Sequence, residues 1–182
     1  MTKTFKTLPG SFTNSRQKQP CKTRRVLGID PGLASTGFGI VDYQNNRYKI
    51  ICYGSIETKA NELHAQRLLV IYNRLLALIK EFKPTEGSIE TLYFAKNVSS
   101  AMGVAEARGV ISLCLIQNNI IFGEYTPNQV KQAVSGSISA DKKIVQNAIK
   151  LLLGLTNVPK PDHAADALAI AITHLHSSIL RL

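Results

Sequence analysis

The sequence contains no pair of cysteines spaced for a zinc ribbon or a redox motif. Its three, Cys21, Cys52 and Cys114, are odd in number and far apart. A disulfide scaffold is thereby excluded as an organising principle, and a reducing compartment fits best. Long apolar runs are also missing. The Ala/Ile/Leu-rich C-terminal segment comes nearest, but Asp166, His174 and His176 interrupt it, so no membrane-spanning helix is predicted. Acidic residues are absent from the first 25 positions, and that stretch has no apolar core of the kind a secretory signal requires. No internal repeat is visible.

What is present is the composition of one globular domain. The 182 residues are 45% hydrophobic and 19% charged, enough for one well-buried core and short for two. The net charge of +10 suits a polyanionic partner, yet its distribution is uneven. Residues 1–25 hold seven bases (Lys3, Lys6, Arg16, Lys18, Lys22, Arg24 and Arg25), leaving 15 basic against 12 acidic residues in the rest. Charge therefore permits nucleic-acid binding without selecting it. Residues 1–24, polar and without an apolar period, read as a flexible basic extension. An organellar transit segment, a tail touching DNA and an over-extended start are all compatible with it.

Hydrophobic periodicity gives the order of elements. Val26–Ile29 reads as a buried strand ending in the Asp30-Pro31-Gly32 turn, followed by strands over Phe38–Val41 and Tyr48–Ile56, with a polar turn at Gln44-Asn45-Asn46. Three consecutive strands with short connections predict an antiparallel meander. From Asn61 to Phe82 the spacing of Leu63, Leu68, Leu69, Ile71, Tyr72, Leu75, Leu76 and Ile79 becomes helical, and Pro84 closes the segment. A strand is predicted over Ser88–Phe94, a helix rich in small residues over Ala101–Ile116, and a fifth strand over Ile120–Tyr125. Helices follow at 127–134, 141–153 and 163–179. The smooth face of the 101–116 helix, with Gly103 and Ala107 at its centre, suits close packing on the sheet or on a second subunit. The whole predicts an α/β fold, a mixed sheet flanked by helices.

Four ionisable residues fall where apolar neighbours are expected. Asp30 ends the first strand, Glu90 lies within the fourth, and His163 and Asp166 share one face at the start of the last helix. If the first and fourth strands are adjacent and parallel, both acids reach the same sheet edge. Clustered carboxylates repel, and a divalent cation resolves the conflict. Hard oxygen ligands with one imidazole favour Mg²⁺, with Mn²⁺ as a substitute. Two ions about 3.5–4 Å apart suit phosphodiester hydrolysis. Each residue also has a plainer reading: a turn for Asp30, an edge position for Glu90, and a helix start for His163 with Asp162 as N-cap. Asp166, surrounded by apolar helix, resists such a reading.

The residues also resemble a known family. Leu27-Gly28-Ile29-Asp30-Pro31-Gly32 with Thr36-Gly37-Phe38-Gly39 is similar to the opening of the RuvC-type Holliday junction resolvases. Ile89-Glu90, Phe94-Ala95-Lys96-Asn97 and Ala107-Arg108-Gly109-Val110 resemble their central block. Tyr125-Thr126-Pro127 with Gln129-Val130-Lys131-Gln132, and Asp162-His163-Ala164-Ala165-Asp166-Ala167-Leu168-Ala169-Ile170-Ala171, resemble the last two. Matches in order over about 26–176 are far more specific than any one block. The resemblance implies a ribonuclease H-like nuclease domain over 25–182, with a five-stranded mixed sheet. It implies a homodimer that nicks two strands of a four-way junction symmetrically, in recombination and DNA repair. Asp30, Glu90, His163 and Asp166 match the catalytic quartet, whose third position is Asp or His. A neutral His163 would bind metal or orient water; a cationic one would steady the phosphate. Lys131 and Lys142 match DNA-contacting lysines, although Lys143 beside Lys142 leaves that assignment loose. Tyr93 matches an aromatic that stacks on a junction base. A RuvA–RuvB branch-migration complex is the implied partner, and a bacterial cytoplasm the implied setting, an organelle remaining open through the basic extension.

Three rival readings remain. Gly28-x-Asp30-x-Gly32 followed by Thr36-Gly37 also resembles the phosphate hairpin of actin-like and sugar-kinase ATPases, which normally need two such domains around a nucleotide. A noncatalytic nucleic-acid-binding relative is disfavoured because all four positions retain metal-binding residue types. The YqgF-like predicted nucleases share the opening strand pattern but not the terminal His/Asp block.

Overall fold

The structure, a computed structural model, describes residues 22–91 and 98–179. Strands β1 (Arg24–Asp30), β2 (Ser35–Gln44) and β3 (Arg47–Glu57) are followed by α1 (His64–Phe82), β4 (Glu86–Glu90), α2 (Val98–Gln117) and β5 (Ile121–Tyr125). Helices α3 (Pro127–Ser135), α4 (Lys142–Leu152) and α5 (Asp162–Ile179) complete the order. The sheet runs β3-β2-β1-β4-β5. The first three strands form the expected antiparallel meander, and β4 and β5 run parallel to β1. This is the mixed sheet of the ribonuclease H-like fold.

Local chemistry sets the joints. Asn45 and Asn46 both have positive φ, 52° and 59°, as a two-residue hairpin loop matching strand twist demands. Between Ile40 and Val41 the β2–β3 register shifts, the partners passing from Cys52 to Ile50, so Ile51 is the extra residue of a bulge. Helix α1 ends with Lys83 in the left-handed conformation just before Pro84. Thr126 and Gln129 close a capping box at the start of α3, with Pro127 in the first turn.

Alternation along the strands divides the interior in two. Leu27, Ile29, Ile40 and Ile89 pack with Ile71, Leu75 and Ile111 on the α1/α2 side. Val26 and Val41 pack with Leu168, Ile172 and Ile149 on the opposite side, where α5 lies. Residues 167–175 of α5 are all buried, because the sheet covers one face and α3 and α4 contact the other. Glycine lets this helix sit so close. A Cβ on Gly28 would lie 2.1 Å from the Ala167 carbonyl oxygen, and one on Gly37 would lie 2.0 Å from that of His163.

Several expectations shift. The fourth strand begins at Glu86 and ends at Glu90 rather than spanning 88–94, and residues 92–94 fall outside the described set. Arg24, counted with the basic extension, opens β1 and pairs with Glu86, while Arg25 pairs with Asp42. Of that extension, residues 1–21 lie outside the described residues. In α1 the buried positions are Ile71, Leu75 and Ile79; Leu63 precedes the helix, and both it and Leu69 are exposed. In α2, Gly103 and Ala107 face inward: Gly103 meets Leu33, and Ala107 belongs to the core. Neither is available to a second subunit. The exposed side instead carries Met102, Ala105, Gly109, Leu113 and Ile116.

The Gly37 contact is testable. Gly37→Ala pushes the added methyl into the His163 carbonyl, and a backbone clash of that kind is expected to cost about 3 kcal/mol or more. A urea midpoint equal to that of the wild type would remove this close approach as a constraint on α5.

Candidate active site

The site sits at the C-terminal end of the parallel strands. The β1–β4 register pairs Ile29 with Ile89, so Asp30 and Glu90 are the next residues on adjacent strands. Ile29 and Ile89 enter the α1/α2 core, and alternation turns both carboxylates to the α5 side. The first turn of α5 then delivers His163 and Asp166, three residues apart. Asp30, His163 and Asp166 converge at this edge, and Glu90 lies beside Asp30 on the adjacent strand.

Side-chain ligand atoms of Asp30, His163 and Asp166 lie within 4.8 Å of one another. Among the described residues this trio is the group of metal-ligating side chains so clustered. His163 Nδ1 and Asp30 Oδ2 are 2.7 Å apart. A carboxylate only accepts, so the Nδ1–H donates, which leaves Nε2 with its lone pair whenever the ring is neutral. Exposure is graded: 13% of the Asp30 side chain is accessible, against 34% for Asp166 and 51% for His163. The site is thus closed on the sheet side and open at α5.

Burial dominates the electrostatics. It pushes the Glu90 carboxyl up to about 7, with the charges of Asp30 and Asp166 adding to the effect. Burial also raises Asp30, against the hydrogen bond and charge of His163, and raises Asp166, against the charges of Lys142 and His163. Three acids that all resist ionisation in one place form a donor set short of positive charge. Oxygen ligands reach small divalent cations at about 2.1 Å, so ligand atoms within 4.8 Å of one another lie near the spacing of donors to one ion. The donor set fits a hard cation.

Lys142, the first residue of α4, supplies local positive charge. Its Nζ lies 3.6 Å from Asp166 Oδ2 and 3.1 Å from Asp162 Oδ2. Desolvation works against the ammonium, but these two carboxylates outweigh it and raise its pKa. Asp162 is not the N-cap expected for it. It is the first residue of α5, and its side chain turns to Lys160 and Lys142. Spacing alone did not show this role, because the partner lies on another helix. Lys131 is half-buried on α3. Lys143 is exposed beside Lys142. Tyr93 lies outside the described residues.

Comparison with known proteins agrees with this geometry. The family model described as crossover junction endodeoxyribonuclease RuvC matches residues 26–174. The chain belongs to the RuvC family. The Treponema denticola crossover junction endodeoxyribonuclease RuvC is 52% identical over 164 residues, 90% of each chain. The protein of that name from Caldicellulosiruptor saccharolyticus is 50% identical over 155 residues, covering 85% of this chain and 93% of the relative. Among solved structures, Thermus thermophilus RuvC in complex with a Holliday junction superposes with a TM-score of 0.83 at 31% identity, covering 87% of this chain and 96% of that one. The yeast mitochondrial resolvase Ydc2 shares the fold, with a TM-score of 0.60 at 15% identity. No helix among the described residues is long and apolar enough to cross a membrane.

Family membership makes the Glu90 environment worth testing directly. Folded Glu90 keeps its proton up to about pH 7, whereas the unfolded chain releases it near its ordinary value of 4.5. Stability of the metal-free protein therefore falls as pH rises through that window. Glu90→Gln stays neutral throughout, so in EDTA its thermal midpoint should exceed that of the wild type at about pH 8 and approach it at about pH 5. An equal offset at both pH values would show that Glu90 ionises normally.

Proposed function

We propose that this chain is a homodimeric, divalent-metal-dependent endonuclease that resolves four-way DNA junctions by hydrolysing two phosphodiester bonds symmetrically. The observation that carries the reading is the convergence of Asp30, His163 and Asp166, with Glu90 beside them, at one sheet edge of a RuvC-family chain. Mg²⁺ is the cation this donor set suits, with Mn²⁺ substituting. One or two such ions, when bound, supply a nucleophilic water and stabilise the oxygen that leaves phosphorus.

The chain's own residues divide the remaining work. Asp30 and Asp166 would hold the cation from the strand and helix sides. Glu90, on the strand beside Asp30, would complete the carboxylate set that holds the ion. The Nδ1–H of His163, donated to Asp30, fixes the ring so that Nε2 faces away as a ligand or as an acceptor orienting the attacking water. Lys142 and Lys131 neutralise phosphate on the scissile strand, and Tyr93 stacks on a splayed junction base. A RuvA–RuvB complex is the partner that family membership suggests, in a bacterial cytoplasm.

A dimer suits the substrate, since an isologous pair presents one centre to each of two opposed strands. A second copy is the occupant we assign to the exposed stripe of Met102, Ala105, Gly109, Leu113 and Ile116 on α2. A side chain at Gly109 would meet nothing within 4 Å in the single chain. Gly109→Arg should therefore leave the fold intact and convert the protein to monomers in sedimentation velocity. A dimer that persists places the seam elsewhere.

The activity is tested with a labelled mobile junction and a linear duplex of the same sequence, in Mg²⁺ and in EDTA. Paired nicks are expected in the junction alone and only with metal. Loss of a partner to a metal ligand typically costs 10–100-fold, so Asp166→Asn, which alters a ligand itself, should lower the rate by roughly a hundredfold or more. Tight junction binding without cleavage in either Mg²⁺ or Mn²⁺ would favour a noncatalytic family member.

A further inference from the structure

Asp162 stands outside the quartet, yet it is tied to it through one ammonium. Its Oδ1 accepts from Lys160 Nζ at 3.0 Å and from Gln146 Nε2 at 3.4 Å, and its Oδ2 lies 3.1 Å from Lys142 Nζ. Lys142 and Gln146 are one turn apart on α4, so a single carboxylate gathers the beginning of α4 onto the beginning of α5. The same Lys142 ammonium reaches 3.6 Å from Asp166 Oδ2. One cation is thus shared between an acid of the cluster and an acid beyond it, and it sits nearer the second.

That sharing matters because an ammonium on Asp166 and a divalent ion on Asp166 compete for one carboxylate. An ammonium left with Asp166 alone would neutralise it and repel an incoming ion. Asp162 can act as the counterweight because its carboxylate holds two ammoniums at once, Lys160 at 3.0 Å and Lys142 at 3.1 Å. Lys160, 74% exposed, pairs with Asp162 from the solvent side and keeps that carboxylate from following Lys142.

We propose that Asp162 is a positioning residue: it draws Lys142 off Asp166, freeing that carboxylate for a divalent cation while keeping the ammonium at the rim for a DNA phosphate. The inference rests on reading the cluster as a metal centre. Asp162 touches neither metal nor substrate and acts through Lys142. The substrate class is unchanged; what Asp162 sets is the affinity of the centre for its ion.

The test measures Mn²⁺ binding to the full-length protein by electron paramagnetic resonance, without DNA or turnover, in a double-mutant cycle. Asp162→Asn should weaken Mn²⁺ binding by about fivefold, the scale of one exposed ion pair. In a Lys142→Met background the same substitution should have little effect, because no ammonium remains to be held away. Asp162→Glu should retain most of the wild-type affinity, and thermal unfolding would check that each variant is folded. An equal weakening in both backgrounds would overturn the proposal, since Asp162 would then act on the ion by its own charge. No weakening in either background would overturn it as well. If Mn²⁺ fails to bind the wild type, or binds Asp166→Asn equally well, the metal-centre reading fails, and this proposal goes with it.

Discussion

Backbone contact, not attraction between side chains, brings the acids of this protein together. The β1–β4 register fixes Asp30 beside Glu90, and α5 is admitted onto β1 and β2 because Gly28 and Gly37 leave no Cβ between strand and helix. Any side chain at those two positions would lift the first turns of α5 and carry His163 and Asp166 away from the strands. The carboxylates accept an unfavourable environment because both apolar layers, one on each face of the sheet, hold the elements in register. The stability of the cores thus maintains a local electrostatic conflict, which a bound cation is suited to relieve.

Two glutamates on one short strand show how position decides the outcome. Glu86 begins β4 and meets the Arg24 guanidinium at 2.5 Å and His174 at 3.1 Å. The arginine hydrogen bond holds its carboxyl below the usual range despite burial. Glu90 ends the same strand four residues later, meets carboxylates, and is pushed up to about 7. The first is a paired structural acid that ties β1, β4 and α5 together at the far end of the sheet. Among the described residues, the second has no comparable cationic partner. Both are partly buried glutamates on a strand; what separates them is the sign of the charge their neighbours carry.

This contrast also explains what the sequence could and could not reveal. Period-two and helical spacing located the elements because each buries one face, and Asp30 and Asp166 stood out as acids with apolar neighbours. The apolar pattern starts β4 late because Glu86 and Gly87 carry no apolar signal, although Glu86 is anchored by Arg24 and a Cβ on Gly87 would press against Phe122. The side of α2 that faces inward was not legible. Small and apolar residues surround that helix, so spacing alone does not distinguish the buried Ala107 from the exposed Gly109. The sequence makes Asp162 a cap candidate because Asp commonly begins helices. Its pairing with Lys142 depends on where α4 lands, a tertiary fact that no local pattern encodes.

His163 takes on a clearer physical meaning in this setting. An aspartate there would add a fourth negative charge to a place where three acids already resist ionisation. The imidazole instead donates to Asp30, and its interactions work against burial at both Asp30 and Asp166. It supplies a ligand atom without adding to the like-charge repulsion. A quartet with histidine in the third position is therefore less strained before metal binds than an all-carboxylate one. In the proposed metal centre it also offers one anionic ligand fewer, so more of the attraction would have to come from Asp30, Glu90 and Asp166. With fewer negative charges available, an ammonium seated on Asp166 displaces a larger share of that attraction. The disposition of Lys142 thus matters more in this chain than it would beside four acids.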